Sequence, residues 1–140
     1  MIQPATTSDY AALARLWARS VKATHGFLKA ADFAYYRERI ERAYFPQVRL
    51  WKYSEAGDIR GFVGVGDMIE MLFVDPKYFG RGIGSSLLDF AVRHCAVTRV
   101  DVNEQNVDAL RFYLSRDFKV IGRSPCDAEG LPYPILHLSL

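Results

Sequence analysis

Gly80, Gly82 and Gly84 alternate with Arg81 and Ile83, and Ser85 and Ser86 follow directly. The chemistry open to this run is anion binding. Glycine reaches positive φ at no steric cost and lets ligand atoms come close to the backbone. A helix starting here leaves its first N–H groups unpaired. Those donors, with the positive end of the helix dipole, make a phosphate site. Ser85 and Ser86 could add hydroxyl donors, and Arg81 a positive charge. Three readings compete. A P-loop needs Gly-Lys followed by Ser or Thr, and that triplet does not occur. A dinucleotide fingerprint starting at Gly82 and Gly84 would put Leu87 where Gly or Ala is wanted, although Asp101 lies near the distance expected for a ribose contact. A tight turn with no ligand needs only the glycines.

A second group of candidates lies downstream. Asn106 has the side chain of a helix N-cap. Tyr113 falls about two helical turns beyond it, on the same face. The plain reading of Tyr113 is a half-buried core residue with a satisfied hydroxyl. Cys95 and Cys126 lie far apart with no CxxC spacing, so they read as reduced thiols, and neither has a basic partner that would support a ping-pong route. His25, His94 and His137 show no metal-ligand spacing, so no metal is expected, and His94 and His137 read as incidental.

Around these residues the chain reads as one domain, residues 1–140, without repeats or linkers. Met1 to Ala5 is a first strand. Thr7, Ser8 and Asp9 offer cap oxygens to a helix whose stripe is Tyr10, Leu13, Trp17 and Val21. Asp32 is expected to cap a second helix, with Phe33, Tyr36, Ile40 and Tyr44 inward and Pro46 closing it. Val48–Ser54 and Ile59–Val65 form a hairpin across Glu55-Ala56-Gly57-Asp58. Glu70–Val74 is a strand ended by Asp75-Pro76, and Gly82–Val97 a long helix. Arg99–Val102 is a strand. Asn106 opens a helix with Val107, Leu110 and Leu114 inward. Lys119–Gly122 and Ile135–Leu140 close the chain as strands. The order β-α-α-β-β-β-α-β-α-β-β is a mixed α/β domain, with a strand-helix-strand unit that should hold a parallel pair.

Composition narrows the function classes. Of 140 residues half are apolar and 14% aromatic, enough for a core without staples. Lys plus Arg number 18 against 16 Asp plus Glu, which argues against a dedicated nucleic-acid binder. The N-terminus lacks a signal pattern and no apolar run approaches the ~18 residues of a membrane span, so a cytoplasmic protein with no membrane partner is expected.

Taken together, these segments resemble the GNAT (GCN5-related) acetyltransferase superfamily. Leu72-Phe73-Val74-Asp75-Pro76 and the following Arg81-Gly82-Ile83-Gly84-Ser85 are similar to its motif A strand and pyrophosphate loop. Asn103-Glu104-Gln105-Asn106, Ala109-Leu110-Arg111-Phe112-Tyr113 and Asp117-Phe118-Lys119-Val120 are similar to its motif B and the strand after it. One departure is Phe79, where the family usually has Arg or Gln. The resemblance implies a mixed, mostly antiparallel twisted sheet of about seven strands, splayed at a parallel fourth and fifth pair, with about four helices. It implies acetyl transfer from acetyl-CoA to a primary amine of a small molecule or protein, by direct attack in a ternary complex. Backbone at Leu72, Phe73 and Val74 would pair with the pantetheine arm like an added strand. Gly80, Arg81, Gly82, Ile83, Gly84 and Ser85 would hold the pyrophosphate, and Asn103 and Asn106 the neighbouring part of the cofactor. Tyr113 would sit at the thioester sulfur and protonate the leaving thiolate. Glu70 or His25 would take the proton from the amine, His25 because imidazole titrates near neutrality. The Lys22–Phe33 region and the 124–134 loop would wall the acceptor, with Asp32 and Asp127 as ammonium partners. A homodimer would suit the family. Other readings are a CoA-binding sensor without catalysis, or a small nucleotide-dependent oxidoreductase.

Overall fold

Period-two alternation in three consecutive strands builds the first layer. A computed structural model describes all residues, Met1–Leu140, in two compact units, Met1–Val97 and Thr98–Leu140. In the first unit β1 (Ile2–Pro4), β2 (Arg49–Glu55), β3 (Asp58–Val65) and β4 (Ile69–Val74) form an antiparallel sheet in that order. Leu50, Gly64 and Met71 stand abreast, as do Phe62 and Phe73 beside them. This face packs into one cluster with Leu13, Trp17 and Val21 of α1 (Tyr10–Thr24), the stripe expected from helical spacing. Phe45 and Phe62 are fully buried with rings 5.8 Å apart, edge to face. Burying each such ring contributes about 1.5–3 kcal/mol.

The opposite face carries Trp51, Gly61 and Val63 and receives α3 (Ile83–His94). Its inward residues are Ile83, Leu87, Leu88 and Ala91, and Phe90 packs on Trp51 at 4.7 Å. The helix ends at His94, short of the expected Val97, because Cys95 is its C-cap and Ala96 turns to φ 56°.

Of the cap candidates Thr7, Ser8 and Asp9, Asp9 takes the N-cap position of α1, without a side-chain cap bond. A 3₁₀ turn, Thr7–Asp9, precedes the helix; Thr6 caps that turn and its N–H donates to Asp9 Oδ2 at 2.9 Å. The second helix start differs from the sequence reading. Helix α2 (Ala30–Arg39) begins at Ala30 with Lys29 as N-cap, so Asp32 lies inside the first turn. The hairpin turn falls on Ala56 and Gly57, both at positive φ, as the Glu55–Asp58 run predicts.

In the second unit β5 (Arg99–Asn103), β7 (Ile135–Ser139) and β6 (Lys119–Ser124) pair antiparallel, with β7 in the middle. Val100, Val102 and Leu138 are buried on one face. Between β5 and β6 runs α4 (Val107–Ser115). Val107 and Leu114, expected inward, are 49% and 46% exposed. The buried residue is Tyr113. A helix this short has room for one inward edge, and here it follows Asn106, Leu110 and Tyr113. No helix is long and apolar enough to cross a membrane.

Candidate functional site

The head of α3 is braced from three sides within the first unit. Just past the end of β4 stands Asp75, which is only 3% exposed. Its N–H donates to the Arg60 carbonyl at 2.8 Å. Its carboxylate accepts from Arg19 Nη2 at 2.7 Å and from the Lys77 N–H at 3.1 Å. Burial pushes the carboxyl up, but those two hydrogen bonds and the charges of Arg19 and Lys77 together outweigh it and hold Asp75 below the usual range. Pro76 then starts a single 3₁₀ turn to Tyr78. The Tyr78 hydroxyl donates to Asp58 Oδ2 at 2.7 Å, and the guanidinium of Arg60 lies 4.3 Å from its ring centre. Arg81 lies over the same ring at 5.4 Å.

The chain beyond Tyr78 turns on glycine. Gly80 and Gly82 have φ of 77° and 81°. Gly82 is the N-cap of α3 and supplies no side-chain cap. The first intrahelical bond is Ser86 N–H to the Gly82 carbonyl at 3.0 Å. The N–H groups at Ile83 and Gly84 lie ahead of it, at the start of a helix where the i−4 carbonyl is missing. A Cβ placed on Gly80 or Gly82 would meet nothing within 4 Å, so the backbone here faces open space. Two sequence expectations are corrected. Gly84 lies inside the helix and has no positive φ. The Ser86 hydroxyl donates back to the Gly82 carbonyl at 3.1 Å, so it points along the helix and not forward. Ile83 is buried and offers only its backbone. Phe79 is exposed.

Gly61, which sequence reasoning passed over, decides how closely α3 sits on the sheet. A Cβ there would come 3.0 Å from both Leu87 Cδ1 and the Phe73 carbonyl oxygen. Opposite it in register stands Val74, and Leu72 and Phe73 pair with Val63 and Phe62. Glu70 is exposed, and a Cβ on Gly66 would lie 3.5 Å from its Oε1.

The second unit holds the other expected residues. The N–H of Asn106 donates to the Asn103 carbonyl at 3.0 Å, which links the end of β5 to the start of α4. Asn106 Oδ1 accepts from the Ala109 N–H at 3.3 Å, so the N-cap reading holds. Tyr113 is 6% exposed, flanked edge-on by Phe112 and Phe118. Desolvation pushes its phenol well above the ordinary tyrosine value. It therefore stays protonated at neutral pH, as a hydrogen-bond donor must.

His25 is the C-cap of α1. The Thr24 hydroxyl donates to the Ser20 carbonyl at 2.8 Å and lies 2.7 Å from His25 Nδ1. With its only proton used, that hydroxyl accepts from Nδ1–H, which leaves the lone pair on Nε2. Burial lowers this histidine to about 4, so it holds a proton poorly at neutral pH. That differs from the near-neutral imidazole assumed from its residue type. The free cysteines Cys95 and Cys126 are partly buried. No group of His, Cys, Asp and Glu is arranged to hold a metal ion.

One constellation escaped the sequence reading. His137 Nδ1 lies 2.7 Å from Asp101 Oδ1, and its Nε2 lies 2.7 Å from Ser124 Oγ. Alternation against buried Val100, Val102 and Leu138 puts Asp101 and His137 on the outer faces of their strands. That much was readable. The pairing of β5 with β7 was not.

Residues 14–136 match the acetyltransferase (GNAT) domain family. The peptidyl-lysine N-acetyltransferase YjaB of Escherichia coli (strain K12) is 39% identical over 129 residues, covering 91% of this chain and 87% of that protein. This chain belongs to the GNAT acetyltransferases. The peptidyl-lysine N-acetyltransferase YiaC of the same organism is 31% identical over 134 residues, covering 94% of this chain and 92% of that one. The solution structure of apo YjaB superposes with a TM-score of 0.89 at 35% identity, over 99% of this chain and 95% of that one. At 17% identity the PaiA N-acetyltransferase of Thermoplasma acidophilum, solved in complex with coenzyme A, shares the fold with a TM-score of 0.77 over 100% of this chain and 98% of that one. The α/β GNAT fold read from the motifs is thus the fold of the chain.

Proposed function

We propose that residues 1–140 act as one N-acetyltransferase domain that moves an acetyl group from acetyl-CoA to a primary amine, with a protein lysine side chain as the acceptor class. The observation that carries this reading is the head of α3. Gly82 caps it in a left-handed conformation without a side chain, and a Cβ there would meet nothing within 4 Å. An anion is the ligand such a terminus favours. The N–H groups of Gly82, Ile83, Gly84 and Ser85 hold the pyrophosphate, and the Arg81 guanidinium adds charge. Phe79 supplies no polar contact, so backbone amides carry the binding. The acceptor class is drawn from the lysine specificity in the names of YjaB and YiaC.

Each remaining residue has a role in this reading. Backbone of Leu72 to Val74 lines up the amide-rich arm, and Asn103 and Asn106 contact it further along. The amine attacks the acetyl carbon directly, without a cysteine intermediate. The Tyr113 phenol donates to the sulfur as the C–S bond breaks. Burial raises the phenol above the ordinary tyrosine value, so Tyr113 is present as the neutral hydroxyl that this role needs. Glu70 or His25 takes the ammonium proton; burial lowers His25 to about 4, so it holds that proton weakly.

The test is incubation with acetyl-CoA and a panel of lysine peptides, polyamines and small amines, following free thiol. Turnover on a lysine peptide above the other amines supports the reading. Stabilisation by CoA with no turnover on any amine replaces it with a sensor. Stabilisation by NAD(P) alone overturns it.

A further inference from the structure

Phe79 stands where the family usually has Arg or Gln, and its ring takes no part in the amide cradle at the head of α3. The chain has nine Phe, eight Tyr and two Trp, and Phe79 alone among them is exposed, at 46%. An exposed ring forgoes the burial that stabilises the other aromatic side chains. A single apolar residue on a surface is ordinary. Phe79 differs in its place and in how firmly it is held. The one ring given up to water is on the loop that leads into the candidate phosphate site.

The backbone beneath the ring is fixed. The Tyr78 N–H donates to the Asp75 carbonyl at 2.9 Å, and the Phe79 N–H to the Pro76 carbonyl at 3.3 Å, which closes the 3₁₀ turn. The Tyr78 hydroxyl is anchored on Asp58 at 2.7 Å. Directly after Phe79 the chain turns at Gly80, with φ 77°. The Tyr78 ring is engaged by the guanidiniums of Arg60 and Arg81. Phe79 has neither a ring partner nor a cation on its face. Arg60 is paired with Glu55 at 3.0 Å, whereas Lys77 and Arg81, two residues to either side of Phe79, are exposed. A rigidly mounted apolar ring between two exposed cations suits a base that carries a phosphorylated sugar. Aromatic faces stack on bases, and neighbouring positive charge attracts the phosphates.

We propose that Phe79 is the stacking platform for the adenine of acetyl-CoA; this rests on the acetyltransferase reading above. In that reading the acyl arm lies along Leu72 to Val74 and the pyrophosphate at the amides of Gly82 to Ser85. The nucleoside is the part of the ligand beyond the phosphates. Phe79 is three residues ahead of Gly82, so their Cα atoms are at most about 11 Å apart. Positive φ at Gly80 and Gly82 bends the path between them. One short loop thus holds the phosphates by its backbone and the base by its side chain. Stacking asks for a π-face and no hydrogen bond, so a phenyl ring can bind the nucleotide where a polar side chain usually stands.

The experiment compares the wild type with Phe79→Ala and Phe79→Trp in their affinity for acetyl-CoA and for acetyl-4′-phosphopantetheine, which lacks the nucleoside. Phe79→Ala should weaken acetyl-CoA binding roughly tenfold and leave acetyl-4′-phosphopantetheine within about twofold of the wild type. Phe79→Trp, with a larger π-face, should bind acetyl-CoA at least as tightly as the wild type. Equal losses on both ligands would make Phe79 a shaper of the loop and overturn the proposal. Unchanged acetyl-CoA affinity in Phe79→Ala also overturns it, and a raised KM for a lysine peptide in that variant would give the ring to the acceptor. The wild type supplies a readout that needs no variant. The adenine H2 and H8 resonances of bound CoA should move upfield, as protons over an aromatic face do, and unmoved resonances overturn the stacking. A wild type that binds no CoA species overturns the acetyltransferase reading itself, and the platform with it.

Discussion

Helices α3 and α4 begin in opposite ways. At α4 the Asn106 side chain accepts from the Ala109 N–H, and the helix satisfies one of its own orphan donors. At α3 the cap is Gly82 at φ 81°, which makes no side-chain cap bond, and a Cβ there would find nothing within 4 Å. The α4 start is finished by its own sequence, whereas the α3 start is left open. The open end is also the more heavily braced, with Asp75 held by Arg19 and Lys77, and Tyr78 by Asp58 and Arg60. An uncapped terminus gains nothing from its own side chain, so its shape must come from neighbours. That combination is what the proposed pyrophosphate site requires.

The sharpest way to break this contrast is to close α3 as α4 is closed. Gly82→Asp puts an acceptor at the N-cap, in a residue type that tolerates the left-handed region. Acetyl-CoA affinity by calorimetry should fall by about two to three powers of ten, through lost charge-assisted bonds and repulsion. The thermal midpoint should hold or rise. Unchanged affinity would mean that the amides of α3 are not the phosphate site.

Next in size is Tyr113→Phe. Losing the phenol should cost roughly 100-fold in kcat while acetyl-CoA affinity stays within about threefold. Equal losses in both would make Tyr113 a binding residue on a packed helix and no more.

Asn106→Ala opens α4 as α3 is open. It should cost about 1 kcal/mol in chemical denaturation. Acetyl-CoA affinity should weaken by less than tenfold. A larger loss of affinity than of stability would assign the Asn106 side chain mainly to the ligand.

The smallest effect at neutral pH concerns the end of α1. A helix C-terminus favours a cation, yet His25 there is lowered to about 4, because burial wins over the dipole. The folded value lies below the ordinary 6.5, so the unfolded chain takes up the proton first as pH falls. The stability from neutral His25 is therefore full above about 6.5 and lost on the way down to about 4. His25→Gln should flatten urea-unfolding stability across that window and change little above it. An equally steep decline in the variant would place the acid sensitivity elsewhere.

Local signals carried much of this molecule. The α1 stripe, the Ala56-Gly57 turn and the glycine run before α3 all formed close to where residue types put them. The misreadings share a cause. Val107 and Leu114 were taken as inward because they are apolar, but α4 buries the Tyr113 edge instead. Asp32 has a capping side chain, but α2 starts two residues earlier. In each case packing outweighed a weak local preference.

The sequence by itself determined the order of elements, the family and the open start of α3, because motif spacing, periodicity and glycine conformation act over a few neighbouring residues. Only the tertiary structure decided that Gly61 seats α3, that Arg19 reaches Asp75 from another helix, and that Asp101 and Ser124 meet His137. Those contacts join residues far apart along the chain. Strand pairing and helix seating create them, and no local pattern encodes which strand lies beside which.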